Sequence, residues 1–184
     1  MEEGGQPVVK ALLILNAEGK RICSRFCDKS LFPDLAAEKA LEEAVVKKVS
    51  LSSDGFEAME DVFDHEDFIV VFKQVDDILY FAVAMNDENE VILAEVLSTL
   101  DEAVALLLHH QVFEENLLLN LKKILLVVDE LVDQEGVILE CNAADLVSRV
   151  GLPSYFADGV PLGEQTLTQA LQTARDQFTR SILS

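Results

Sequence analysis

The stretch FIVVFKQVDDILYFAVAM, residues 68–85, decides how this chain folds. It reads as two strands, Phe68–Val75 and Ile78–Met85, joined by the two-residue link Asp76-Asp77. A parallel return needs a dozen or more residues, so this link makes the pair an antiparallel hairpin. Immediately upstream, residues 56–63 read as a third strand, linked by DHED, which is again short enough for a hairpin. Nearer the N-terminus, VVKALLILNAEGKRICSRFC gives two more strands, 8–15 and 20–27, around the turn Asn16-Ala17-Glu18-Gly19. The first of these is apolar at nearly every position, as suits a central strand covered on both faces.

Between and after the strands the apolar period changes from two to about 3.6 residues. PDLAAEKALEEAVVKKV, residues 33–49, places Pro33, Asp34 and Glu38 at a helix start and Lys47 and Lys48 at its end, all in keeping with the helix dipole. Its buried stripe is expected to be Ala37, Leu41, Ala44 and Val45. Residues 89–110 form a second helix with Leu93, Val96, Leu97, Leu100, Val104, Leu107 and Leu108 on one face, entered through the cap region MNDENE. Residues 116–132 form a third, followed by the short extended piece VILEC and a helix-like AADLVSRV. The order of elements permits no run of right-handed parallel crossovers. It predicts an α+β fold: a five-stranded, mostly antiparallel sheet with helices on both faces. We expect this domain to occupy 1–150. A linker, 151–163, carries two prolines and three glycines, and an amphipathic helix, 164–184, presents Leu167, Leu171, Ala174, Phe178 and Ile182 on one face.

The charge is lopsided, with 34 acidic against 14 basic residues and a formal net of −20 over 184 residues. Such a surface repels phosphate backbones and anionic headgroups, so nucleic acid and direct membrane binding are not expected. A positively charged protein surface is the natural partner. MEEGGQP lacks the apolar region of a secretory signal, and runs such as ILLVV are too short for a membrane span. Cys23, Cys27 and Cys141 read as reduced thiols. These features together predict a cytosolic protein.

No catalytic constellation stands out. EGKR at 18–21 lacks the rest of a phosphate loop, and neither a zinc-protease helix nor a nucleophile elbow occurs. His109 and His110, adjacent on a helix, diverge by about 100° and do not share an ion easily; His110 is expected to skirt the core and His109 to be solvated. Neither enzyme activity, metal nor cofactor is expected.

The helix at 116–132 raises the sharper question. On a helical wheel Leu117, Leu118, Leu121, Ile124, Leu125, Val128, Leu131 and Val132 fill an arc of roughly 140°, the expected core face. Leu119 and Leu126 lie almost opposite, bordered by Lys122, Lys123, Glu130 and Asp133. Loops or the C-terminal segment would cover this second stripe, or a partner protein would. The helix then ends in Asp129, Glu130 and Asp133, where its own carbonyls are already partly negative. Lys122 and Lys123 are too far upstream to neutralise them, which leaves Arg149 or a partner's cations. A metal-dependent enzyme using Asp129, Glu130 and Asp133 is the remote alternative.

LLVVDELVDQEGVILE resembles the signature helix and following segment of the small and medium chains of vesicle coats, nearest to the coatomer zeta type. VKALLILNAEGKRI, EKALEEAV and EQTLTQALQTARDQ are similar in order to the opening hairpin, first helix and tail helix of that type. The usual Gly-Gly before Val-Ile-Leu-Glu is Glu135-Gly136 here. The resemblance implies a longin-like (profilin-like) fold with one helix on one face of the sheet and two on the other, plus the C-terminal amphipathic helix. It implies a non-enzymatic role in the cytosolic COPI coat, held by the trunk of the gamma subunit within the heptameric coatomer. An Arf-type GTPase recruits that complex to Golgi membranes for retrograde transport. A sigma-type small chain of a clathrin adaptor, or another longin trafficking module, is the alternative. Leu119, Leu126, Asp129, Glu130, Asp133, Leu167, Leu171 and Phe178 are the expected partner-binding residues.

Overall fold

The structure, a computed structural model, describes residues 7–52 and 60–151. The expected linker beyond Gly151 and the tail helix carrying Leu167, Leu171 and Phe178 lie outside the described residues, as do residues 56–59 of the expected third strand.

The elements run β1 (Ala11–Asn16), β2 (Arg21–Phe26), α1 (Leu35–Ser52), β3 (Glu60–His65), β4 (Phe68–Val75), β5 (Ile78–Met85), α2 (Glu90–Leu107), α3 (Glu114–Leu119), α4 (Leu121–Leu131) and α5 (Ala143–Gly151). The five strands form one sheet in the order β2-β1-β5-β4-β3, and every neighbouring pair is antiparallel. The β4–β5 hairpin has the limits its sequence predicts, with Val75 opposite Ile78 and Phe68 opposite Met85. Asp76 takes a left-handed φ of +49° in its turn, a conformation Asp tolerates better than most residues. The β3–β4 link is shorter than DHED: Asp64 and His65 continue the strand, His65 pairs with Phe68, and Glu66-Asp67 alone make the turn. His65 therefore ends a strand and does not sit in a loop.

Side chains alternate across the sheet and feed two cores. Leu12, Ile14, Tyr80 and Ala82 face the side holding α2, α3, α4 and α5. Leu13, Leu15, Phe72, Phe81 and Val83 face the other side, where Leu41 and Val45 of α1 cover them. This is the expected one-helix face; the opposite face carries α2 and the α3–α4 pair, to which α5 adds Ala143 and Leu146. Each such fully buried aliphatic or aromatic side chain contributes about 1.5–3 kcal/mol relative to exposure. β1 and β5 supply the densest share, since every residue from Ala11 to Asn16 and from Ile78 to Ala84 is buried.

Local chemistry fixes the ends of the elements. Asp34 caps α1 by accepting the Ala37 N–H at 2.9 Å, and Asn89 caps α2 by accepting the Val91 N–H at 2.9 Å. Arg21 of β2 holds α1 from the side, reaching Glu38 at 2.8 Å and the buried Glu42 at 2.5 Å. β3 forms one rim of the sheet, with Glu60, Asp61, Val62 and Asp64 exposed. Its backbone is partly occupied: the Asp61 carboxylate takes the Val62 N–H at 2.8 Å, and Lys48 of α1 donates to the Asp64 carbonyl.

α2 stops at Leu107, earlier than expected. His109 and His110 both adopt left-handed φ, +53° and +61°, and both are exposed, so His110 does not skirt the core. The His110 N–H reaches back to the Ala105 carbonyl at 2.7 Å and the His109 N–H to Leu106 at 3.2 Å, the double bond of a Schellman stop.

Candidate partner-binding surface

The expected single helix at 116–132 is two helices. Asn120 divides them with φ −107° and ψ 15°. Its side-chain amide donates to the Asn116 carbonyl and the Asn116 side chain, both at 3.0 Å, while its backbone N–H is shared between the Asn116 and Leu117 carbonyls. Asn competes with the helix for backbone groups in this way, and here it wins.

The break changes which leucines are inside. α4 buries Ile124, Val127, Val128 and Leu131, a stripe at spacings of three and four. Leu117 and Val132 are buried as expected. Leu118 and Leu125, expected in the core, are 50% and 43% exposed, beside Leu119 at 78% and Leu126 at 42%. The correction has a geometric cause: α4 lies on the sheet as an outer helix and buries one narrow seam against β2 and α2, not an arc of 140°. Val127, left out of the expected face, occupies that seam.

The outward face thus carries Leu118, Leu119, Lys122, Leu125, Leu126 and Asp129, with Lys123 beside it. Leu119 and Leu126 lie where the sequence places them. Lys122 and Lys123 are exposed, and neither joins the ion pairs among the described residues.

The carboxylates at the end of α4 have partners within the chain. Arg25 of β2 meets Asp129 at 2.6 Å. Arg149 of α5 lies 3.5 Å from Glu130 and 2.8 Å from Glu140, the role anticipated for it. Asp133 accepts the N–H groups of Glu135 and Val137, both at 2.8 Å, and so builds the turn that follows the helix. Asp129, Glu130 and Asp133 therefore point to three separate partners and do not converge as a metal site; among the described residues no group of three His, Cys, Asp or Glu side chains does. Nothing local in the sequence pairs Arg25 with Asp129. Only strand parity hinted at it, by placing Arg25 on one face of β2 with Cys23 and Cys27. On that face burial, reinforced by Asp129, pushes the Cys23 thiol up to about 11, and burial likewise raises Cys27. Both thiols pack beneath α4, where burial disfavours the thiolate.

The turn after α4 is locked to the sheet. Val9 donates its N–H to the Gly136 carbonyl at 2.8 Å, and Val8 pairs with Val137 in an antiparallel bridge. Thr99 of α2 donates its hydroxyl to the Cys141 carbonyl at 3.2 Å, fixing the segment that leads into α5. Asn16, the last residue of β1, donates its side-chain amide to Glu114 at the start of α3 at 3.1 Å. Both ends of the leucine-bearing face are thus tied down.

The family described as clathrin adaptor complex small chain matches residues 8–155. The chain belongs to this family. Among its relatives, coatomer subunit zeta-2 of Arabidopsis thaliana is 40% identical over 178 residues, covering 97% of both chains. Coatomer subunit zeta-1 of Homo sapiens is 34% identical over 175 residues, covering 95% of this chain and 93% of the relative. The resemblance read from the residues is thereby borne out over nearly the whole sequence. A chain of the full-length AP-3 complex, in a homology model of its stretched open conformation, shares the fold at a TM-score of 0.58 and 19% identity, covering 92% of this small chain and 98% of the other. The architecture is the longin-like α+β sheet expected of adaptor small chains. No helix among the described residues is long and apolar enough to cross a membrane.

Proposed function

We propose that this small chain is a non-catalytic structural subunit of the COPI coat, supporting Golgi-to-ER retrograde and intra-Golgi transport. The observation that carries this reading is near full-length similarity to coatomer zeta subunits of plants and mammals. In it, the chain packs against the trunk of the gamma subunit within heptameric coatomer, and an Arf-type GTPase acts on it only indirectly. It resides in the cytoplasm and, through its partners, on Golgi membranes and COPI-coated vesicles. The tail helix with Leu167, Leu171 and Phe178 supplies a second attachment. The separate engagement of Asp129, Glu130 and Asp133 favours a packing role over metal-dependent catalysis. Identity to zeta chains favours coatomer over a sigma-type adaptor chain, whose likeness here extends to the fold.

Affinity capture of the tagged full chain from its own cytosol tests the role. Co-elution with a large coatomer subunit in equal amounts is expected; a chain that remains a monomer and never brings down a large coat subunit overturns the reading.

A further inference from the structure

We infer that the outward face of α3 and α4 is the seat of an amphipathic helix of the larger partner subunit, one whose apolar ridge is flanked by carboxylates. This rests on the coat-subunit reading and gives its contact a chemistry. Two pairs of exposed leucines, Leu118 with Leu119 and Leu125 with Leu126, are seven residues apart. One pair closes α3 and the other lies within α4, so apolar side chains stand on either side of the Asn120 break and suit a helix laid across both. A strand has no comparable fit, because a helix surface offers no free backbone ladder.

The charges select the partner. Net charge alone, −20, calls for a cationic surface. At this face the logic reverses. Asp129 is answered by Arg25, and Glu130 shares Arg149 with Glu140, so both of these carboxylates at the end of α4 have a cation within the chain. The charges left without an ion pair on the stripe are Lys122 and Lys123, midway between the leucine pairs. Enclosing those ammonium groups against cations or bare apolar surface is unfavourable; carboxylates at the partner's rim make the contact favourable and set its register. A second copy of this chain is a poor occupant, since a two-fold pairing centred on the stripe sets Lys122 against Lys122. An anionic membrane is also poor, because two lysines stand against an otherwise acidic molecule.

The test uses the full chain with the large coatomer subunit that co-purifies with it. Leu119→Ser with Leu126→Ser should weaken association about tenfold or more, with a melting temperature within about 2 °C of the wild type. Lys122→Glu with Lys123→Glu should weaken it about tenfold at low salt, and added salt should shrink that deficit as repulsion is screened. Should the leucine pair cost stability, the lysine pair decides alone. Tighter binding by the lysine variant, or unchanged binding by both variants, overturns this surface while leaving the coat role standing. A wild-type chain that binds no large coat subunit removes both. Self-association abolished by the leucine variant assigns the face to a second copy and also overturns the inference.

Discussion

A methyl group added at Gly136 would sit 1.8 Å from the Val9 carbonyl oxygen and 3.0 Å from its carbon, with φ already at +87°. Backbone, not a yielding side chain, occupies the space. The residue joins the end of α4 to the chain entering β1, through the Val9 N–H it accepts at 2.8 Å. Gly136→Ala must either break this bridge or displace the turn built by Asp133, and should lower stability by about 2–4 kcal/mol. A thermal melt close to wild type would refute that. The sequence displays the glycine between Glu135 and Val137 but not the reason for it, because Val9 lies at the far end of the chain. Arg25 and Asp129 were illegible as a pair on the same ground: attraction across space leaves no period in a sequence.

Elements were legible where their signals are local. The β4–β5 hairpin follows from two apolar runs and a link too short for any other return, and its limits match to the residue. Other ends moved, because the groups that set them lie outside the apolar period. Asp64 and His65 extended β3, Asn120 divided the third helix, and two histidines stopped α2. A single straight helix over 116–132 would bury a wide arc that includes Leu118 and Leu125; the two shorter helices leave both exposed. The stop at α2 makes a prediction at this scale. His109 holds the left-handed position that helices usually give to glycine, where a Cβ costs on the order of 1 kcal/mol. His109→Gly should therefore raise stability by about 0.5–1 kcal/mol, read from urea unfolding with an unchanged m-value. A loss of stability would mean that the imidazole makes a contribution exceeding the strain.

At the scale of the molecule, a sheet covered on both faces concentrates stability in its middle. β1 and β5 are paired on both edges and buried throughout, whereas β3 is paired on one edge and mostly exposed. Native-state hydrogen exchange should find the slowest amides in β1 and β5, at rates set by global unfolding, and markedly faster ones in β3 and α3. Equal protection across the strands would contradict this gradient. The β3 rim has a further consequence for a subunit made before its complex exists. Glu60, Asp61 and Asp64 would meet their own counterparts if two copies tried to zip rim to rim, and Asp61 and Lys48 already hold backbone groups that such a seam requires. A second copy would therefore find this rim closed to it, and under the proposal above the leucine-bearing helices are left as the side through which assembly begins.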